Sequence, residues 1–72
     1  MNIRQNIRVN LLRLRKKSGL SPAHFAKKVQ VKTMTYYGYE DGYSSPPLET
    51  LVRILENCGF KDYRKFLTEE IK

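Results

Sequence analysis

Apolar residues Ile3, Ile7, Leu11 and Leu14 recur at spacings of four, four and three, with Leu12 beside them. That period draws one stripe along a helix, and the basic residues Arg4, Arg8, Arg13, Lys16 and Lys17 fill positions away from it. A helix over residues 3–17 follows, with Gly19 as its stop. Ser21-Pro22 is a helix start, because serine caps free N–H groups and proline tolerates the first helical position. Phe25, Ala26 and Val29 give the apolar face of this second helix, which spans about eight residues. Gln30-Val31 breaks the period, and a new one runs through Val31, Tyr36 and Tyr39 to a stop at Gly42. Leu48, Leu51, Val52, Ile54 and Leu55 define a fourth helix closed by Asn57-Cys58-Gly59. Asp62 caps a fifth, on which Tyr63, Phe66, Leu67 and Ile71 share a face. No segment alternates with period two, and YSSPP (Tyr43–Pro47) reads as loop. The expected fold class is all-α: a compact bundle of five short helices in one domain spanning residues 1–72.

Charge sharpens this picture because of where it lies. Residues 1–32 hold nine Lys/Arg and no acid, whereas residues 33–72 hold five Lys/Arg and seven Asp/Glu, so the parts stand at +9 and −2 within the overall +7. A one-sided basic field on a small domain points to a polyanion. No run of 18 apolar residues is present to span a membrane, and the N-terminus lacks the uninterrupted apolar segment of a signal peptide. The single cysteine, Cys58, rules out an internal disulfide framework and makes a reducing cytosol the default setting. His24 stands alone, with Cys58 as the only soft ligand far along the chain, so no metal site is expected. Glu40, Asp41, Glu49 and Glu56 show no pattern that poises a general acid against a base, and no phosphate-cradling glycine loop occurs. Neither enzymatic activity nor a cofactor is expected.

Two short helices joined by about three residues, the second with a polar side, describe a helix-turn-helix. The pieces LLRLRKKSGLS (Leu11–Ser21), FAKKVQV (Phe25–Val31), YEDG (Tyr39–Gly42) and PPLETLVRIL (Pro46–Leu55) carry a closer likeness. Taken in this order and spacing, the chain resembles the phage-repressor, Cro/Xre-like helix-turn-helix family over about 45 of its 72 residues. The resemblance implies a lambda-repressor-like DNA-binding domain whose third helix enters the major groove as the reader. It places Phe25, Ala26, Val31, Tyr36, Tyr39, Leu51 and Leu55 at core positions and matches Arg15 and Glu40 to an interhelical ion pair.

Within helix three, the geometry of 3.6 residues per turn puts Thr33, Met34, Tyr37, Gly38 and Asp41 opposite Tyr36 and Tyr39. Thr33, Met34 and Tyr37 are therefore the expected base contacts, with Lys32 reaching a base or a phosphate. Backbone contacts are expected from Lys16 and Lys17 at the end of helix one, from Ser21, Lys27 and Lys28 on helix two, and from Tyr43, Ser44 and Ser45 after helix three. Three positions depart from the family pattern. Pro22 replaces a glutamine that commonly touches the DNA backbone. Gln30 replaces a turn glycine and so has to take a positive φ. Gly38 sits inside the reading helix at a cost of about 1 kcal/mol relative to alanine.

The expected partner is double-stranded DNA, bound as a homodimer on a pseudo-palindromic operator, in a prokaryotic cytosol or nucleoid. No membrane and no small-molecule ligand is expected. The face formed by Phe66, Leu67 and Ile71 either completes the core or supplies a dimer contact. With no room for a sensing domain, the chain is either a small complete regulator or the DNA-binding part of a longer one. Two other functions compete. An antitoxin or other protein-interaction module built on this fold requires a tail that folds on its partner. Single-strand or RNA binding requires exposed tyrosine rings, whereas Tyr36 and Tyr39 fall on the buried side.

Overall fold

The computed structural model describes residues 2–71. Its helices are α1 (Ile3–Ser18), α2 (Pro22–Lys28), α3 (Thr33–Asp41), α4 (Leu48–Asn57) and α5 (Tyr63–Thr68), and no strand occurs among the described residues. Each boundary has a local cause. Asn2 caps α1 by accepting from the Gln5 N–H, and Ser21 caps α2 by accepting from the His24 N–H at 3.2 Å. Pro22 takes the first turn of α2, where its missing N–H is no loss. Asp62 caps α5 by accepting from the Lys65 N–H at 3.0 Å. Gly42 ends α3 in the left-handed region, φ 80°, where a Cβ would be strained.

The core is built from Leu11, Phe25, Ala26, Val29, Tyr36, Ile54, Leu55 and Phe66, all with almost no solvent exposure. Ile7, Leu14, Tyr39, Leu51 and Ile71 extend it, while Val31 is partly buried against its edge. The aromatic rings meet at an angle: Phe25 and Tyr36 lie 5.4 Å apart between centroids, Tyr36 and Tyr39 6.3 Å, and Phe60 and Phe66 5.5 Å. Tilted and edge-on contacts of this kind are the favoured aromatic arrangements.

The C-terminal part departs from expectation. Helix α5 ends at Thr68, so Ile71 is not on it; Glu69 is extended (φ −132°, ψ 157°) and carries the chain back across α1. Phe66 is wholly buried and Ile71 is 3% exposed, so neither leaves surface for a second copy, and only Leu67 remains partly accessible. Within the single chain both side chains belong to the core, and Leu67 packs against it.

The fastener is a row of polar side chains at i, i+4 and i+7 on α1. The Asn6 Nδ2 donates to the Leu67 carbonyl at 3.0 Å, and the Arg13 Nη1 donates to the Ile71 carbonyl. Between them Asn10 is fully buried and uses its whole amide: Nδ2 donates to the carbonyls of Phe66 and Glu69, both at 2.7 Å, and Oδ1 accepts from the Ile71 N–H at 3.0 Å. A six-residue helix has no stability alone. This row and the Phe66 ring hold it in place.

Between α2 and α3, Gln30 takes φ 62°, a left-handed conformation uncommon for a residue with a side chain. The turn is fixed by Val31 N–H donating to the Ala26 carbonyl at 2.9 Å and by Arg53 Nη2 of α4 donating to the Gln30 carbonyl at 3.1 Å. Both bonds involve main-chain groups at the turn and survive a change of side chain at position 30. Gln30→Gly should therefore relieve the strain and raise stability by about 0.5–1 kcal/mol. That gain corresponds to a rise in melting temperature of roughly 2–8 °C in a thermal denaturation.

Candidate nucleic-acid interface

Helix α3 has two chemically distinct sides. Tyr36 and Tyr39 are buried, whereas Met34 is 80% exposed and Tyr37 39%. Lys32 is exposed at the N-cap position, and Thr33 is half-buried in the first turn. No side chain caps that turn, so its leading N–H groups face outward for other acceptors. Residues 33, 34 and 37 share a helical face, and Lys32 precedes them on the chain. The four expected base contacts thus gather at one end of one helix.

The backbone candidates are more scattered. Lys16 and Lys17 are exposed in the last turn of α1, and Tyr43 (90% exposed) and Ser44 are exposed in the segment after α3, with Ser45 half-buried. The Ser21 hydroxyl is engaged by its own helix: it accepts from the His24 N–H and lies 2.7 Å from His24 Nδ1. Lys27 and Lys28 are exposed at the opposite end of α2 from Ser21. Lys28 stands near Cys58, whose thiol pKa is raised by burial and pulled back by that ammonium.

The orientation of α3 is set by two arginines of α1. Arg15 and Glu40 form a two-pronged ion pair, Nε to Oε2 at 2.7 Å and Nη2 to Oε1 at 3.2 Å, with the side chains only 15% and 11% exposed. Arg15 Nη1 also donates to the Leu20 carbonyl at 3.1 Å, which ties the entry to α2 into the same contact. The hydrogen bond to Glu40 raises the Arg15 pKa above its ordinary value, with partial burial acting the other way. Two turns earlier on α1, Arg8 Nε donates to the Glu40 main-chain carbonyl at 2.7 Å, filling an acceptor that the helix end leaves open. Tyr36 lies one turn before Glu40, and its buried hydroxyl has no hydrogen-bond partner among the described residues. Burial first, then Glu40, pushes its pKa far above the usual tyrosine range. The phenol stays neutral and acts as packing, not as a titrating group.

Sequence reasoning did not single out Arg8 or Arg53 as positioning residues, because their acceptors are main-chain carbonyls that no side-chain pattern reveals. It did put Arg8 among the charged positions of α1. Gly38 was read as facing outward with Tyr37. Instead, the Tyr43 and Ser44 N–H groups both donate to the Gly38 carbonyl, at 2.9 and 3.2 Å, and the Ser44 side chain folds against the helix there. A Cβ at position 38 would lie 3.1 Å from Ser44 Oγ, so the glycine admits the returning loop.

The arrangement is a two-helix unit on a braced scaffold: a short helix, a tight turn, then a helix with an open polar side. Among the described residues no helix is long and apolar enough to cross a membrane. A helix-turn-helix family model matches residues 11–65. Comparisons with curated proteins and with solved structures found no match. The matched span runs from the second half of α1 into α5 and contains the whole α2–turn–α3 unit and the Arg15–Glu40 brace. The chain belongs to the Cro/Xre-like helix-turn-helix family and is a DNA-binding regulator.

Proposed function

We propose that this regulator reads a specific double-stranded sequence through Thr33, Met34, Tyr37 and Lys32, and represses transcription as a dimer on a pseudo-palindromic operator. One observation carries the reading: α3 buries Tyr36 and Tyr39 while presenting Met34 and Tyr37 to solvent from the same two turns. An α-helix held by one side leaves the other free to enter a groove about 12 Å wide. Threonine offers a hydroxyl that donates or accepts, and methionine offers an apolar contact for a thymine methyl. Lys16, Lys17, Lys27, Lys28, Tyr43, Ser44 and Ser45 supply backbone contacts, with Ser21 in a weaker place because its hydroxyl already caps α2. The setting is the prokaryotic cytosol or nucleoid, and the type that of a phage, plasmid or other mobile-element repressor. Two dimer subunits on half-sites one helical turn apart would exclude polymerase sterically.

The antitoxin alternative needs a tail free to fold on a partner, whereas residues 66–71 are hydrogen-bonded to α1. Stacking on single strands needs a platform of open rings, and two of the four tyrosines between positions 36 and 43 are buried.

Selection from random duplex DNA tests the proposal. The selected duplex should bind at least about a thousandfold more tightly than a scrambled one. Equal affinity for the two would remove sequence-specific reading. Tyr37→Ala should reduce that discrimination by roughly 1–3 kcal/mol, whereas Lys17→Ala should weaken all duplexes alike. The lysine variant should also flatten the dependence of log K on log salt by about 0.9. An unchanged base preference in Tyr37→Ala would mean that another face of α3 meets the bases.

A further inference from the structure

The first turns of α1 and the segment after α3 enclose an open groove of about 360 Å³. Its walls include Arg4, Gln5 and Arg8 from α1 and Gly42, Ser44 and Ser45 from the opposite side, with no carboxylate among its lining residues. Arg4 has no ion-pair or hydrogen-bond partner among the described residues. Arg8 spends Nε on the Glu40 carbonyl, which leaves its two terminal nitrogens unengaged there. Two guanidiniums and two hydroxyls are thus gathered around one space that no carboxylate lines.

Both glycines beside the groove keep this set together. A Cβ at Gly42 would lie 3.2 Å from Arg8 Cδ and 3.3 Å from its Nε. A Cβ at Gly38 would crowd Ser44 Oγ. Side chains at either position would push Arg8 or Ser44 from where it stands. The groove also opens beside the stretch that directly follows α3, so a duplex engaged by α3 runs its sugar–phosphate strand nearby.

The geometry points to a phosphate-binding groove in which Arg4 and Arg8, with the hydroxyls of Ser44 and Ser45, clamp one backbone phosphate of the bound duplex beyond the reach of the reading helix. Planar guanidinium forks match the oxygens of a phosphate, and serine hydroxyls donate to the oxygens that remain. The assignment rests on duplex DNA being the partner, and it adds the N-terminal half of α1 to the contact surface.

Arg4→Gln in the full chain is the test, because Arg4 is exposed and its loss breaks no contact of the fold. Both the selected and a scrambled duplex should lose affinity by the same factor, with base preference unaltered. The fall in affinity between about 50 and 200 mM salt should shrink by up to roughly 3.5-fold relative to the unaltered protein, the bound set by full loss of one neutralised phosphate. Ethylation interference should weaken at one phosphate position in the variant, where Arg8 and the serines remain, while Arg4→Lys keeps the salt slope. An unchanged slope and an unchanged interference pattern in Arg4→Gln would overturn the groove's role and leave DNA reading by α3 intact. A complete lack of duplex binding by the unaltered protein would instead remove the reading on which the groove depends. If inorganic phosphate shifts the amide resonances of Gln5 and Ser44 while the interference pattern ignores Arg4, the groove takes free anions only and the duplex assignment fails.

Discussion

Replacing Glu40 by alanine should destabilise the protein by about 3 kcal/mol and lower its melting temperature by roughly 12–24 °C. The Arg15 guanidinium would be left in a place only 15% open to solvent, with the Leu20 carbonyl as its remaining acceptor. Removing one partner of a buried pair usually costs 3–5 kcal/mol, on the order of what is expected here. The low end applies because both side chains keep a little water contact. Because most of each side chain is buried, salt screens the pair only weakly, so the deficit should persist at high ionic strength. An exposed pair would behave otherwise: its loss would cost under about 1 kcal/mol, and less still in salt. A double variant with leucine at both positions should recover much of the loss, because no unpaired charge then remains. A melting temperature unmoved by Glu40→Ala would mean that the guanidinium finds equal solvation elsewhere, and that α3 is not braced by this contact. DNA discrimination should fall with the brace, since the carboxylate fixes the side of α3 that faces outward.

The tyrosine-rich stretch TYYGYEDGY illustrates what a sequence can and cannot carry. Helical period alone separates Tyr36 and Tyr39 from Tyr37, and the structure divides them the same way, two buried and one exposed. The caps at Ser21 and Asp62 were equally legible, because each is a local exchange between a side chain and an N–H three residues on, and so was the stop at Gly42, where a left-handed φ favours glycine. Gly38 was not legible. Its reason lies in a loop that turns back onto the helix, and only the path of residues 43–44 makes a Cβ awkward there. The groove escaped for a related cause: Arg4 and Arg8 read as basic positions away from an apolar stripe, and Ser44 and Ser45 as loop residues expected at the DNA backbone, with nothing to link the two pairs. Their meeting depends on how α1 crosses the end of α3. Ile71 shows the opposite case, a burial foreseen as one alternative and reached by another path. It was placed on α5 by period, yet α5 stops and an extended segment delivers Ile71 to the core. Its partner in that contact, Asn10, sits on the apolar stripe three residues after Ile7 and one before Leu11. A polar residue there reads as an interruption, since the groups that satisfy it come from positions 56 to 61 residues later.

Asn10→Ala should therefore be the most disruptive single change at the C-terminal end, at about 3 kcal/mol. The amide makes three hydrogen bonds in a place without solvent, to the carbonyls of Phe66 and Glu69 and from the N–H of Ile71. Alanine removes all three, and each main-chain group left dry carries a desolvation penalty of roughly 1–3 kcal/mol. The total stays near the lower part of that range summed over three groups, because the 69–71 segment can lift off and let water reach them. That relief has its own consequence, since it uncovers Ile71 and loosens Phe66, the residues that close the core on this side. Two measurements separate this reading from a general loss of stability. The melting temperature should fall by roughly 12–24 °C, and amide exchange at Ile71 should accelerate well beyond the rate set by global unfolding. Because Thr33, Met34 and Tyr37 lie on a helix braced separately through Arg8 and Arg15, DNA preference at low temperature should be retained. Exchange at Ile71 that merely follows global unfolding would show that the tail is held by the Phe66 ring and by Arg13, and that Asn10 is not its fastener.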